Sequence, residues 1–216
     1  MIPALIVPVL NRPDLLHRLL ASIDYGIGDL LVIDNGGVLE SLPDLPPVER
    51  AHLLRMPSNL GVPASWNLGI KALPAAPYWM IVNSDAWFPP TALANLHEAA
   101  RRDALVLSGA APPWACFTIG DEVVNRVGLF DEGIYPAYFE DDDFVRRCTF
   151  HGVPVVYSRI TVGHDNSSTI GEARYRAAND RTFPANRAYY EAKVRAGNMS
   201  EGRWSLATRR ALSWDV

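Results

Sequence analysis

Apolar residues fall along this chain in short runs separated by polar breaks, and the spacing within each run predicts its conformation. Ala4–Val9 is an apolar run of the length of a fully buried strand, and Asn11-Arg12-Pro13-Asp14 breaks it. From Asp14 to Ile23 the leucines at 15, 16, 19 and 20 return at helical spacing. A second run, Asp29–Ile33, ends in the turn signal Asp34-Asn35-Gly36-Gly37, and His52–Met56 reads as a third strand. Pro63 precedes a helix through Trp66, Leu68 and Leu73. Tyr78–Val82 is a fourth strand, ended by Asn83-Ser84-Asp85, and Thr91 opens a helix to Ala100. Strand and helix in this alternation predict an α/β fold, a mostly parallel sheet flanked by helices.

The second half is less regular. Ala110–Phe117 carries prolines and a tryptophan. Asp121–Val127 and Phe144–His151 read as helices, the latter stopped by Gly152, and Val153–Tyr157 reads as a strand. Beyond His164 the chain turns polar and Arg-rich through Arg181, and Asn186–Ala196 has an amphipathic helical pattern. No repeat, low-complexity tract or clean linker divides the 216 residues, so one domain is expected.

Composition narrows the partners. With 49% hydrophobic and 20% charged residues the chain has the balance of an ordinary globular protein. A formal charge of −4 gives no pull toward nucleic acid or an anionic membrane. The apolar start "MIPALIVPVLNRP" lacks a basic lead and a small-residue cleavage site, so it reads as a strand rather than a signal peptide. No apolar run reaches the roughly 18–20 residues that cross a bilayer. The expectation is a cytoplasmic protein with no membrane span and no nucleic-acid partner, in which the N-x-S/T triplets at Asn166 and Asn198 carry no weight. Cys116 and Cys148 supply neither a disulfide framework nor a zinc set, and read as small buried hydrophobes.

Candidate chemistry gathers at strand ends. Parallel sheets bind ligands beyond the carboxyl ends of their strands, and Asn11-Arg12, Asp34-Asn35 and Asn83-Ser84-Asp85 all fall there. The glycine-rich cradles for dinucleotides and triphosphates are absent, so a phosphorylated ligand would be held by a metal or by side chains. Asp85 is of the type that binds Mg or Mn, although an Asp after a strand as readily caps a turn. His164 would give such a metal an imidazole, which suits Mn better than Mg. In "PAYFEDDDFVRRC" the acids favour a helix start, which accounts for Asp142 and Asp143, with Asp143 and Arg147 spaced for a modest surface pair. Glu140 and Asp141 follow Tyr138 and Phe139, and are expected where the aromatic segment enters the helix. A carboxylate desolvated there has its pKa raised toward the range of a general base. Trp114, Phe117, Tyr135 and Tyr138 read either as an apolar wall for a sugar or as core.

In order along the chain, "VPVLNRPDLLHRLLASI", "LLVIDNGG", "NLGVPASWNLGIKAL", "WMIVNSDAWFPP", "VGLFDEGIYPAYFEDDDFVRRC" and "VGHDNSS" resemble the blocks of family 2 glycosyltransferases. The branch resembled has rhamnosyltransferase-like and galactofuranosyltransferase-like members. "FPANRAYYEAKV" is similar to that family's Asn-aromatic-Lys helix, with Val194 where a tryptophan is common. The resemblance implies a GT-A fold in a single catalytic domain: a nucleotide-sugar-binding half (1–109), an acceptor-binding and catalytic half (110–180) and a C-terminal helical appendage (181–216). It implies inverting, metal-dependent transfer of a sugar from a UDP- or dTDP-linked donor to a hydroxyl of a glycan, lipid-linked or protein acceptor.

By the same resemblance Asn83-Ser84-Asp85 stands for the family's Asp-x-Asp motif, with one negative charge missing at Asn83, and Asp85 and His164 hold Mn or Mg. Pro8, Asn11 and Arg12 line the nucleotide pocket and Asp34 contacts the base. Asn59, Gly61 and Asn67 approach ribose and diphosphate. Asp141 is the general base with Glu140 beside it to hold the acceptor, or the two exchange these roles, and Trp114, Phe117 and Tyr138 form the acceptor wall. Two other readings fit the same strand-end site. A nucleotidyltransferase would want a Gly- and Lys-rich first loop, which "VPVLNRPD" lacks, and a non-catalytic nucleotide-sugar-binding protein would keep the fold alone.

Overall fold

Period-two burial along the strands sets the architecture. In the computed structural model, which describes residues 1–109, 112–165 and 173–199, β1 (Ile2–Val9) sends Leu5, Val7 and Val9 to one core and Ala4 and Ile6 to the other. Helix α1 (Pro13–Ala21) covers the first face with Leu16, Leu19 and Leu20. Strands β2 (Ile27–Asp34) and β3 (Val48–Arg55) extend the sheet in parallel, and α2 (Val62–Ala72) covers the second face with Trp66 and Ile70. Strand β4 (Tyr78–Val82) is buried on both sides and lies parallel to β1. After the two-residue β5 (Ala86–Trp87), α3 (Ala92–Ala99) returns to the first face.

The second half adds antiparallel strands. Strands β6 (Leu105–Leu107) and β7 (Cys116–Gly120) precede α4 (Asp121–Val127) and α5 (Glu140–Phe150). Then come β8 (Val155–Tyr157), β9 (Gly163–His164) and α6 (Ala173–Arg195). The main sheet runs β3-β2-β1-β4-β7-β6-β8, with β7 antiparallel to both β4 and β6, and β8 parallel to β6. Strands β5 and β9 form a separate antiparallel pair. The expected α/β architecture, a mostly parallel sheet flanked by helices, is present. Both cysteines are buried and free. Among the described residues no helix is long and apolar enough to cross a membrane. Asn166 and its triplet lie outside the described residues, as does Ser200 of the second triplet.

Three local expectations are corrected. Helix α5 begins at Glu140 rather than Phe144, because Tyr138 (φ 76°) and Phe139 (φ 80°) are both left-handed and turn the chain into the helix. All four acids therefore occupy its first turn. Helix α6 starts at Ala173 and runs through Pro184, where an internal proline reads as a break in sequence.

The Asp143–Arg147 pair is no surface pair. Both side chains are 0% exposed and joined at 2.8 Å. Arg147 also donates to the Val127 and Leu129 carbonyls at 3.1 and 2.8 Å, and Lys193 of α6 lies 2.8 Å from Asp143 and 2.7 Å from Asp131. This cluster welds α5 to α6 and to the end of α4. Arg147→Met should cost about 3–5 kcal/mol, since it strips a buried carboxylate of a cation. Urea unfolding should show it as a lower midpoint at an unchanged slope.

Candidate active site

The carboxyl ends of β1, β2 and β4 form one edge, tied together by their own polar residues. Asn35 donates its backbone N–H to the Val9 carbonyl at 2.8 Å and its side-chain amide to Ser65 of α2 at 2.9 Å. Pro8 is half-buried in β1 and Asn11 is buried just after it. Arg12, left-handed at φ 73°, caps the start of α1 and grips Asp14 with both ends of its guanidinium, at 2.9 and 2.6 Å. Gly36 passes so close to Leu10 that a Cβ would lie 1.7 Å from its carbonyl oxygen. Asp34, expected to contact the donor base, closes the end of β2. It is 0% exposed, and its carboxylate accepts from the backbone N–H groups of Gly36, Val38 and Leu39 at 3.1, 3.1 and 2.9 Å, so it shapes the loop after β2.

Beyond β4 the structure brings together Asp85 and His164, which the chain holds far apart. The pairing of Ala86 with His164 and Trp87 with Gly163 sets the register. It leaves His164 Nε2 at 2.9 Å from Asp85 Oδ1 and 3.4 Å from the Asn83 amide nitrogen, with the two side chains only 5% and 12% exposed. Ser84, between them, is half-buried. The Nδ1 atom of His164 is buried with no hydrogen-bond partner among the described residues. Sequence reasoning missed the brace. Arg18 of α1 donates to the Asp85 carbonyl at 2.9 Å, pairs with Asp165 at 2.8 Å, and stacks 4.3 Å from the Trp87 ring. Trp87 in turn lies over Gly163, where a Cβ would sit 2.0 Å from the ring.

A second acidic centre heads α5. Glu140 is buried, 6% exposed, and its Oε2 has no hydrogen-bond partner among the described residues. Burial, with Asp141 alongside, pushes its carboxyl up to about 8. Burial also raises Asp141, against the stabilising N–H of Asp142, which donates to Asp141 Oδ1 at 2.9 Å. These two carboxyls are poor acids at the end of a turn held in left-handed backbone.

The residues expected along ribose and diphosphate serve to fasten this turn. Asn67, 1% exposed, exchanges two hydrogen bonds with the Phe130 backbone at 2.9 Å each and donates to Glu132 at 2.8 Å. With its amide consumed, it joins α2 to the loop before α5. Gly61 (φ 80°) meets Pro136, whose carbonyl accepts from the Val62 N–H at 2.7 Å. Asn59 caps the Gly61 N–H at 2.9 Å, and its carbonyl accepts from the Tyr135 hydroxyl at 3.2 Å.

The aromatic wall divides. Phe117 is 0% exposed, wedged edge-on against Trp66, Trp114 and Phe130, and so is core. Trp114 is half-buried and stacks on Trp66 at 5.9 Å. Tyr135 and Tyr138 are exposed. Tyr138 packs edge-on against Phe183 of α6, a neighbour that only the folded chain reveals. Asn186 and Lys193, in the "FPANRAYYEAKV" block, are buried partners of this region that carried no assigned role in sequence.

Comparison with known proteins bears on the family and the fold. The profile described as Glycosyl transferase family 2 matches residues 4–122, more than half of the chain. A "Galactofuranosyl glycosyltransferase" of Leishmania donovani is 33% identical over 101 residues, which cover 45% of this chain and 22% of that protein. The solved structure of GalNAc-T7 with UDP, GalNAc and Mn2+ superposes with a TM-score of 0.60 at 12% identity, over 76% of this chain and 44% of that one. The catalytic domain of Drosophila beta1,4galactosyltransferase 7 with xylobiose gives 0.53 at 14% identity, over 77% and 71%. These structural likenesses bear on the fold, which is that of GT-A enzymes. With strand-end site and profile in agreement over the first half, this chain belongs to glycosyl transferase family 2.

Proposed function

We propose that this chain transfers a sugar, with inversion, from a UDP- or dTDP-linked donor to an acceptor hydroxyl, using Asp141 as the base and a divalent cation at Asp85 and His164. The observation that carries the reading is the convergence of Asp85, Asn83 and His164 at the carboxyl end of β4. A UDP- and Mn2+-bound structure of the same fold supports it.

The donor set fits a hard divalent cation. One carboxylate and one imidazole lie in ligand range of a common point, with no further His, Cys, Asp or Glu to complete a cage among the described residues. Such a half-site suits a cation that takes its remaining ligands from phosphate oxygens and water. A cation held there would supply charge neutralisation for a diphosphate leaving group.

The chain's own residues do the rest. Asp141, made a better proton acceptor by burial, takes the proton of the acceptor hydroxyl as that oxygen attacks the anomeric carbon. The bond to the diphosphate breaks with its electron pair leaving on the diphosphate oxygen. Glu140, raised to about 8, is protonated at neutral pH and offers an O–H to a sugar hydroxyl, while its neutrality spares Asp141 a second adjacent negative charge. Trp114 and Tyr138 present ring surface to the acceptor, a glycan or the glycosylated end of a lipid or protein.

Three expectations test this. Asp141→Asn should lower sugar transfer by about 10²–10⁴-fold. The thermal shift given by UDP with Mn2+ should stay intact, and full turnover by this variant would end the assignment. Asp85→Ala should abolish the Mn2+-dependent part of the UDP thermal shift, because bound ligand stabilises only the native state. An undiminished shift would remove Asp85 from the site.

The third concerns Glu140, whose folded pKa of about 8 stands above its ordinary 4.5. Its contribution to stability is complete below about 4.5 and lost as pH rises through about 8. Wild-type stability should thus fall relative to Glu140→Gln by about 1.4 kcal/mol per pH unit within that window. Parallel stability–pH curves from urea titrations would place the Glu140 carboxyl in water.

A further inference from the structure

The block "FPANRAYYEAKV" lies on α6, outside the donor edge, yet it supplies the partners of the acceptor-side turn. Asn186 is 6% exposed on a helix whose other described side chains are, Lys193 apart, half-exposed or exposed. Its Nδ2 donates to the Ala137 carbonyl at 2.8 Å and its Oδ1 faces the Tyr135 N–H at 3.4 Å. One amide thus reads both the donor and the acceptor of the turn that leads to Glu140. Three residues on, the Tyr189 hydroxyl donates to Asp131 at 3.1 Å. Tyr190 stacks on Phe139 at 5.7 Å, and Phe183 abuts the same ring at 5.1 Å. Lys193 then bridges Asp131, before the turn, to Asp143, in the first turn of α5 after it.

The contacts bracket the strained residues on both sides. Tyr138 and Phe139 hold left-handed backbone, a conformation costing on the order of 1–3 kcal/mol each for residues with side chains. It persists only where the surroundings over-determine it. Asn186 fixes the chain just before them, the rings of Phe183 and Tyr190 fix Phe139 itself, and Lys193 fixes α5 just after. The α5 N-cap has no side-chain hydrogen bond, and the α2 side holds the turn only before Tyr138, through the Val62 N–H on the Pro136 carbonyl and the Tyr135 hydroxyl on the Asn59 carbonyl.

We propose that Asn186 and Lys193 of α6 are positioning residues for the acceptor-side carboxyls: together they hold the 135–139 turn in its left-handed form and so aim Glu140 and Asp141 into the site. This rests on the preceding reading of Asp141 as the base. It assigns α6 a part in the reaction through the turn it holds rather than through the Asp85–His164 pair. Without the clamp the turn relaxes toward ordinary backbone, the first turn of α5 frays, and both carboxyls gain water.

The test uses the full chain and two variants. Lys193→Met removes a cation from a buried carboxylate and endangers the fold, so Asn186→Ala, which leaves the charge cluster intact, carries the decision. Carboxyl-13C NMR titration of Asn186→Ala should show the Glu140 midpoint moved from about 8 toward the ordinary carboxylate range. The Mn2+-dependent thermal shift with UDP should be retained. Turnover should fall about tenfold or more at an unchanged donor KM, the mark of lost alignment rather than lost binding. A Glu140 midpoint unchanged in Asn186→Ala would overturn the proposal, and so would a loss of UDP binding equal to the loss of turnover. The titration needs no turnover, so it judges the clamp even if Asp141→Asn shows that another group is the base.

Discussion

A carboxylate taken wholly out of water must be answered by cations or hydrogen-bond donors, and Asp143 draws that answer from cations across the second half of this protein. Its charge is met by Arg147 one helical turn away and by Lys193 from α6. Arg147 spends its remaining donors on the carbonyls of Val127 and Leu129. Such a cluster is weak as a source of stability, because desolvating the ions offsets most of their attraction. Its value is geometric. The hydrogen-bond directions of the Arg147 guanidinium admit one arrangement of α4 and α5, where an apolar contact of equal size would tolerate several, and the Lys193 ammonium adds α6.

The two acidic centres are built on opposite electrostatic plans. Asp85, just ahead of β5, is paired with the imidazole of His164. Glu140 and Asp141 are set among aromatic rings beside other acids, so that holding a proton becomes easier. In the proposed reaction the first would hold a cation and the second would take a proton. The loop fastenings made by Asn59, Gly61 and Asn67 keep the second centre in a fixed relation to α2 and thereby to the first.

Much of this was legible in the residues. The parallel half of the sheet is written in apolar runs of strand length, and Asp85 and His164 stand in blocks whose family pattern names them. What the sequence does not reveal is short or distant. Strands β5 and β9 have two residues each and carry no periodicity, though their pairing brings His164 to Asp85. Strand β7 hides behind a Pro- and Trp-rich lead, and its antiparallel place between β4 and β6 is a long-range choice. Asp34 and Asn67 carry side chains whose backbone partners, and Phe117 a ring whose place in the core, only the folded neighbours show. The Asp143–Arg147 spacing is the same on a surface and in a core. Burial, which a one-dimensional pattern cannot display, decides its meaning.

The packing of Trp87 over Gly163 has a consequence for inheritance. The indole occupies the space that any side chain at 163 would need, and Arg18 lies against the same ring. A residue larger than glycine can arise at 163 only after the ring at 87 has shrunk, and a smaller residue at 87 leaves Arg18 without its stacking surface. The three positions therefore change as a set or not at all, and in related chains their identities should covary across a gap of dozens of residues.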